Sequence, residues 1–504
     1  MTNFTYTPTG TGAVTRDAAN KLCELVSVLD YIPETEHAAI FARTSSYDCT
    51  NAFRNAAALR RGVFVPRGEY KISGTLNLVA CPVLVGDGFS EDVTIASKIL
   101  WTGGLLPMFE VKNTQTEVRD LLLDGNGLAD CAIQVLGGAS SVLDRLTIKH
   151  TKRDGIRFST TPNNNSVIVS NSTMRDLGTL NDEGSTIDPQ DPQDDGVVTA
   201  GTRIFNVYGA GNLTTLGIRP GLDLVRIGSS PLHTIESVGP GSLEISQGFA
   251  ANYSGTVEIR IGHGVAIERQ SDNNVIAIVK NVFLQCKGSG LRDNAFYGAH
   301  ARDNLYEQNG YGRIIGRLRP DIYEVSLNYG ALELGGYFEG NFGGADIMLE
   351  STRFTRVEPA LLWEEATGAA QAERIYVLNF SQLYNPVFEF GGIRTEGRTL
   401  LMLNQTTVDV DFDNTFYRFL HSAAAGNGVI NLPPMTSAKR RAMFSRTEAK
   451  IVLMFMDISG RSFTIKSPDT PVNGVPGATG VTVGGNWTKR EIRLDNDAGW
   501  LVTG

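Results

Sequence analysis

Short runs of alternating apolar and polar positions, each ended by Gly, Asn, Asp or Pro, fill most of the chain. Between 76 and 180 they read LNLVACPVLVG, SKILW, PMFEVKN, EVRDLLLDG, CAIQVLG, SVLDRLTIKH, GIRFST and SVIVSN. Alternation with period two places successive side chains on opposite faces of a strand, and the bounding residues supply tight corners. The pattern also repeats. Val279-x-Asn281-x-Phe283 returns 23 residues later as Arg302-x-Asn304-x-Tyr306. The same frame precedes it as Val118-x-Asp120-x-Leu122, Val142-x-Asp144-x-Leu146 and Val169-x-Asn171-x-Thr173, at steps of 24 and 27, and recurs weakly around Gly336-x-Phe338. A period of this size predicts a parallel β-solenoid, in which each rung buries its inward side chains against the next.

The repeat is interrupted once. Residues 155–171 (GIRFSTTPNNNSVIVSN) realign with 264–281 (GVAIERQSDNNVIAIVKN), so the chain between them is an excursion from the solenoid. It opens with GSTIDPQDPQDDG and continues over 197–262 as TRIFNVYG, LDLVRIG, HTIESVG, SLEISQG and TVEIRIG, about five strands closed by Gly turns. These predict a small inserted β-barrel, dispensable for the fold, with its two ends close together. The DPQDPQDD run reads as a solvated linker, because it lacks the ligand spacing and central Gly of a calcium loop.

Helices are expected only near the start. In RDAANKLCELVSVL (16–29), Ala18, Leu22, Leu25 and Leu29 form an a/d seam over about two heptads; it is either a neck where chains meet or a helix packed on its own domain. DCTNAFRNAAALRR (48–61) predicts a second helix, capped by Asp48 or Thr50 and stopped by Gly62, placed to cover the open end of the solenoid. After 312 the rungs loosen, and composition shifts at SAAAGNG (422–428) to a final all-β module. The expected organisation is a neck over 1–37, a β-helix over 38–425 interrupted by the insert at 197–262, and a C-terminal β-sandwich-like domain over 427–504.

A net charge of −9 and a pI near 5.4 argue against sequence-independent nucleic-acid binding, which draws on Lys and Arg. The five cysteines are odd in number, far apart and without a CxxC pair, so neither a disulfide framework nor a zinc site is indicated. No basic segment followed by an apolar run opens the sequence, and no run is long enough to span a bilayer. The expectation is a soluble chain made in the cytoplasm, without cofactor or metal.

The order SVLDYI (27–32), a helix containing Asn51-Ala52-Phe53 and Ala56-Ala57, VFVPRGEYKIS (63–73) and LVGDG (84–88) resembles the N-terminal part of the pectate-lyase-like right-handed β-helices of bacteriophage tailspikes. GTGAVTRDAANKL looks like the connector between spike body and virion-binding head. PETEHAAIFARTSSYDC stands where such spikes carry an acidic GDGxxDDT stretch, and no head-binding segment precedes the connector in this sequence. The resemblance implies an all-β, right-handed parallel β-helix that assembles as a homotrimer and is carried on the virion, attached to the phage tail through its N-terminus. It also implies binding and depolymerisation of a bacterial capsule or O-antigen, and a terminal module that trimerises or shields.

For chemistry, the repeat aligns Leu284, Glu307 and Glu339 in one column, each directly after an inward residue (Phe283, Tyr306, Phe338). Alternation turns both carboxylates outward. If Tyr306 and Phe338 occupy adjacent rungs, the acids lie roughly 5 Å apart, the separation of a retaining glycosidase pair; one further rung favours inversion. The structural alternative is a (Y/F)-E-x-N corner motif in which Glu only bonds backbone amides. Asp303 is the substitute acid. His300, Arg302, Asp293, Tyr297, Tyr329 and Tyr337 are candidates for sugar contact, since ring faces pack on sugars and polar groups meet their hydroxyls. Elimination by a lyase would need a cation beside the base, for which Arg292, Arg302, Arg313, Arg317 and Arg319 are available. A Ser-His-Asp esterase has no GxSxG elbow to support it.

Overall fold

The structure is a computed structural model. It describes residues 5–6, 16–17, 25–181, 186–187 and 197–316 apart from short interruptions, the longest at 269–275. It further describes 328–329, 331–343, 345–353, 356–358, 361–363, 373–377 and most strands between 399 and 503. Two compact units emerge: 1–314 with 332–343 and 359–365, and 315–331 with 344–358 and 366–504.

The first unit is a parallel β-helix with three strand-built faces. Its first face stacks Leu25–Ser27, Gly62–Val65, Val83–Gly86, the start of Glu117–Asp124, the start of Val142–Lys149, Ile168–Ser170, Ala277–Val279, His300–Arg302 and Leu332–Leu334. The second stacks Gly68–Ile72, Ser97–Trp101, the ends of Glu117–Asp124 and Val142–Lys149, Thr173–Arg175, Val282–Leu284, Leu305–Glu307, Tyr337–Glu339 and Leu361–Trp363. The third runs from Leu76–Asn77 to Tyr311–Gly316. Apolar side chains alternate inward on all three, and Leu123, Ile148, Phe283, Tyr306 and Phe338 of the second face are each 0% exposed.

Between the first and second faces the chain turns through a left-handed residue, occupied by Asp120, Arg145, Asn171, Lys280, Asp303 or Gly335. Side-chain ladders satisfy the backbone there. Asn281 Oδ1 accepts from the Ser172 N–H and Asn304 Oδ1 from the Asn281 N–H, at 3.1 and 2.9 Å. Such ladders are why Asn recurs in the repeat, since a buried amide left unpaired is costly.

Residues 16–29 depart from the expected helix. Arg16–Asp17 pairs as a short strand with Thr5–Tyr6, Leu25–Ser27 is the first rung, and Val28–Tyr31 is a 3-10 turn. A two-heptad helix is marginal by itself, and Val26 and Val28 gain burial in the first rung instead. Helix α1 (Glu34–Phe41), in the stretch that departs from the tailspike pattern, follows Pro33 and carries Glu34 and Glu36 in its first turn. Helix α2 (Thr50–Ala58) falls where the sequence predicts it: Asp48 Oδ1 accepts from the Thr50 N–H at 2.9 Å, and Ala52, Phe53, Ala56 and Ala57 form its buried face. Phe53 meets Tyr70 edge-on at 5.9 Å.

The excursion leaves the solenoid at Gly178 and returns at Gly262, whose neighbours Thr179 and Ile261 are paired antiparallel. All five expected strands form, and Thr179–Asn181 and Thr186–Ile187 join them in a seven-stranded antiparallel sheet. This sheet has its own core, including Phe205, Val225, Ile235, Ile259 and Phe249. It is not an independent appendage. Arg292 Nη2 donates to the Gly221 carbonyl at 2.8 Å and the Tyr311 hydroxyl to the Leu232 carbonyl at 2.6 Å, so solenoid side chains are satisfied by insert backbone. Dispensability, expected from the close ends, conflicts with these shared buried bonds. The DPQDPQDD run (188–195) lies outside the described residues.

The second unit pairs Ala345–Arg353 with Glu373–Val377 in parallel. Thr399–Leu403, Phe416–Leu420 and Lys450–Asp457 follow in a parallel order that turns antiparallel at Thr488–Asp495 and Gly499–Thr503. A second sheet repeats this switch through Thr407–Asp409, Gly428–Asn431, Ser462–Lys466 and Val481–Gly484. The terminal module thus grows from strands that precede 427.

Candidate active site

Glu307 and Glu339 are register partners on adjacent strands of the second face, flanked by Leu284 on one side and Trp363 on the other. Neighbouring strands of a sheet lie about 4.8 Å apart, so the two acidic side chains leave the sheet within one strand spacing. Both are half-buried. Beneath them, at the alternating position, the rings of Phe283, Tyr306 and Phe338 stack at 5.1 Å and 4.6 Å with interplanar angles of 11° and 14°. This column of rings holds the strands that carry the acids.

The strand bearing Glu307 is also tied from inside. The Tyr306 hydroxyl donates to Glu333 Oε2 at 3.1 Å, and Arg313 bridges Glu333 and Asp293 at 3.0 and 2.9 Å, all four residues being 0% exposed. Burial pushes the Glu333 carboxyl up, against the opposing pull of Arg313. Burial and the neighbouring Glu333 likewise hold the Tyr306 phenol well above its ordinary value. Asp293, a candidate for sugar contact, is therefore enclosed in the solenoid, where it also accepts from the Ala299 N–H at 2.8 Å. Its oxygens are engaged by Arg313 and backbone.

Corner amides after the acidic column are served by asparagine. Asn309 Oδ1 accepts from the Cys286 N–H at 2.9 Å, and Asn341 Oδ1 from the Asn309 N–H at 3.0 Å. The Gln285 and Gln308 amides bond the next rung's carbonyls, those of Glu307 and Glu339. The Asn of the (Y/F)-E-x-N motif thus carries the corner, leaving the Glu carboxylates without that duty.

Among the other candidates, Tyr337 lies on the Glu339 strand and points to the same side, two residues earlier; its hydroxyl donates to Glu339 Oε2 at 2.7 Å. This bond, with the charges of Glu339 and Glu307, raises the phenol above its ordinary value. Asp303 and Arg302 sit exposed at the preceding corner, and His300 is half-buried on the first face. Burial and the nearby Arg313 charge lower the His300 imidazole. His300 and Arg302 stand on a different face from the paired acids, and Asp303 occupies the corner between the two faces. Tyr329 is in the second unit, paired with Arg353, and Tyr297 lies outside the described residues.

Sequence reasoning missed Glu333. It sits one position before the frame residue Leu334, inward and in register with Ala301; the only signal was an acid at an apolar position of the repeat. Among the described residues no group of three or more His, Cys, Asp or Glu is placed to hold a metal ion, and no helix is long and apolar enough to cross a membrane.

No family model matches the chain, and no curated protein does. Solved structures do. ORF18 of Geobacillus virus E2 is 10% identical with a TM-score of 0.38, covering 95% of this chain and 66% of its own. An endo-xylogalacturonan hydrolase from Aspergillus tubingensis is 12% identical at 0.35, covering 88% and 97%. A tailspike protein of an Acinetobacter phage is 12% identical at 0.32, covering 95% and 65%. The chain spans about two thirds of the length of the two viral proteins. At these scores the likeness carries no inference about activity, and the β-helix rests on the strand register given above.

Proposed function

We propose that this chain is the body of a phage tailspike that binds a bacterial capsule or O-antigen and cleaves it as a retaining endoglycosidase, working as a homotrimer on the virion. The observation that carries the reading is the in-register pair Glu307 and Glu339. Two carboxylates about one strand spacing apart match the separation of a retaining pair. Like charges stacked in register are unfavourable, and the corner bonds that would excuse them are made by Asn309 and Asn341 instead. A cost without a structural return is the signature of a functional site.

In such a reaction one carboxylate attacks the anomeric carbon while the other gives its proton to the departing glycosidic oxygen. Water then returns a proton to the second group, adds its oxygen at the anomeric carbon and releases the first. Arg292 and Arg313, two of the cations a uronate lyase could have used, are 0% exposed, which leaves exposed Arg302 as the candidate for elimination among the described residues.

The test is the purified protein against a panel of capsular and O-antigen polysaccharides. New reducing ends without near-ultraviolet absorbance support hydrolysis. Absorbance of an unsaturated uronate makes the chain a lyase, and binding without shortened chains makes it an adhesin. Light scattering that returned a monomer mass at micromolar concentration would remove the trimer.

A further inference from the structure

We infer that Tyr337 is a positioning residue that fixes the two carboxylates in different roles, with Glu339 the ionised nucleophile and Glu307 the proton donor. This rests on the glycosidase reading above. Register alone makes the two acids equivalent, since they follow stacked rings on neighbouring strands and are alike half-buried. One bond breaks the equivalence. Among the described residues, the donor beside the pair is the Tyr337 hydroxyl, and it is spent on Glu339 Oε2 at 2.7 Å.

A phenol O–H aimed at a carboxylate stabilises the ionised form more than the protonated one, because charge-assisted hydrogen bonds are the stronger kind. The bond also orients the group. Glu339 has Oε2 held by Tyr337, which leaves Oε1 to form the bond to the anomeric carbon. Glu307 has no such donor among the described residues, which leaves it as the member of the pair free to hand a proton to the leaving oxygen. The remaining surroundings do not upset this. Leu305 is the register partner of Tyr337 on the Glu307 strand, and Leu361 and Trp363 are the partners of Tyr337 and Glu339 on the other side, so the flanking strands add no ionisable group besides Glu307. The charged residues of the preceding corner, Arg302 and Asp303, are exposed. The atoms balance: the Glu339 oxygen bonds the anomeric carbon as the glycosidic bond breaks, the Glu307 proton goes to the leaving oxygen, and water then replaces both the proton and the ester.

The experiment uses the full chain and whichever polysaccharide of the panel gives reducing ends with the wild type. Tyr337→Phe should lower kcat about tenfold, the order of one hydrogen bond to a charged group. KM should change little, and the acid limb of the pH–rate profile should move to higher pH. Azide should rescue Glu339→Ala with a glycosyl azide of inverted configuration and Glu307→Ala with one of retained configuration. A Tyr337→Phe enzyme altered only in KM, with an unmoved profile, overturns the positioning role, and exchanged azide products overturn the assignment. If the wild type cleaves no polysaccharide, the enzymatic reading itself falls and the assignment with it, a result distinct from cleavage that ignores Tyr337.

Discussion

The Arg219 guanidinium, carried by the inserted sheet, forks onto Asp154 of the solenoid and Asp223 of its own sheet. Nη2 lies 3.0 Å from Asp154 Oδ1 and 2.8 Å from Asp223 Oδ1, and both carboxylates are 0% exposed. Burial alone would push the Asp154 carboxyl up; the charge and hydrogen bonds of Arg219 more than offset this and hold it at about 2. The solenoid and its insert therefore share one charge cluster.

Arg219→Leu should destabilise the protein by about 3–5 kcal/mol, because it strands buried carboxylates without a partner. Denaturant unfolding monitored by far-ultraviolet circular dichroism measures this. A loss under about 1 kcal/mol would mean that the joint is wet. Since the folded value of Asp154 lies below its ordinary 3.8, its contribution is present above that pH and is lost as pH falls towards about 2.

Acid should act earlier through two buried histidines. His233 is 1% exposed, meets Phe249 edge-on at 4.8 Å and has neither ring nitrogen hydrogen-bonded among the described residues; burial lowers it to about 4. His263 accepts from the Ser289 N–H through Nδ1 at 2.9 Å, so Nε2 bears the proton and donates to the Leu222 carbonyl at 3.1 Å. Burial lowers it to about 4 as well, against the pull of Asp154 and Asp223. Folded values below 6.5 mean that the unfolded chain takes up protons first. Stability is full above that pH and falls as pH drops towards 4, by about 3 kcal/mol per histidine. His233→Leu should flatten this slope by roughly half, and an unchanged slope between pH 6.5 and 4 would refute the assignment.

Glu307→Gln and Glu339→Gln should each leave the melting temperature within about a degree or two, since neither carboxylate carries a corner bond. Each should also cost about 10² or more in turnover while affinity for the glycan is kept. Differential scanning calorimetry and reducing-end assays on the same preparations check both. A melting temperature that falls well beyond this in both variants would make the carboxylates structural.

Asn309→Ala removes the acceptor of the Cys286 N–H and a donor to the Phe283 carbonyl at 3.0 Å. About 1–3 kcal/mol should be lost for each buried group left unsatisfied. Urea unfolding reads this directly, and Gln285→Ala, at the half-buried position one residue before Cys286, should change little because it removes only a solvent-exposed bond to Gln308.

The solenoid was legible because its repeat is enforced by packing: Phe283, Tyr306 and Phe338 fall in one column in the sequence and in the structure. Earlier rungs were read one residue out. Val118 pairs with Leu143 rather than Val142 and Val169 with Ile278 rather than Val279, and the slip carries across the corner, where Leu121 pairs with Leu146 and Met174 with Phe283. Matching Asp120 to Asp144 and Asn171 to Asn281 by residue type missed that Arg145 and Lys280 take the left-handed corner there. The joint between Arg219 and Asp154 and the pairing of Asp293 with Arg313 could not be read locally, since the partners lie 65 and 20 residues apart. Tyr329 and Asp293, chosen for chemistry near the acids in the chain, illustrate the same limit: nearness along a rung is not nearness on a face.

The step from Glu307 to Glu339 is 32 residues where that from Leu284 to Glu307 is 23, yet in space each is one register pairing. The fold works as a ruler with fixed divisions. Backbone hydrogen bonding sets the gap between stacked acids at multiples of about 4.8 Å, whatever length of chain loops out between them. Moving one acid to the next rung would jump the gap to about 9.6 Å, at the upper limit of the separation that admits water and inverts configuration. Stereochemical outcome in such a scaffold can therefore change in a single discrete step, while loops that read the sugar vary freely around it.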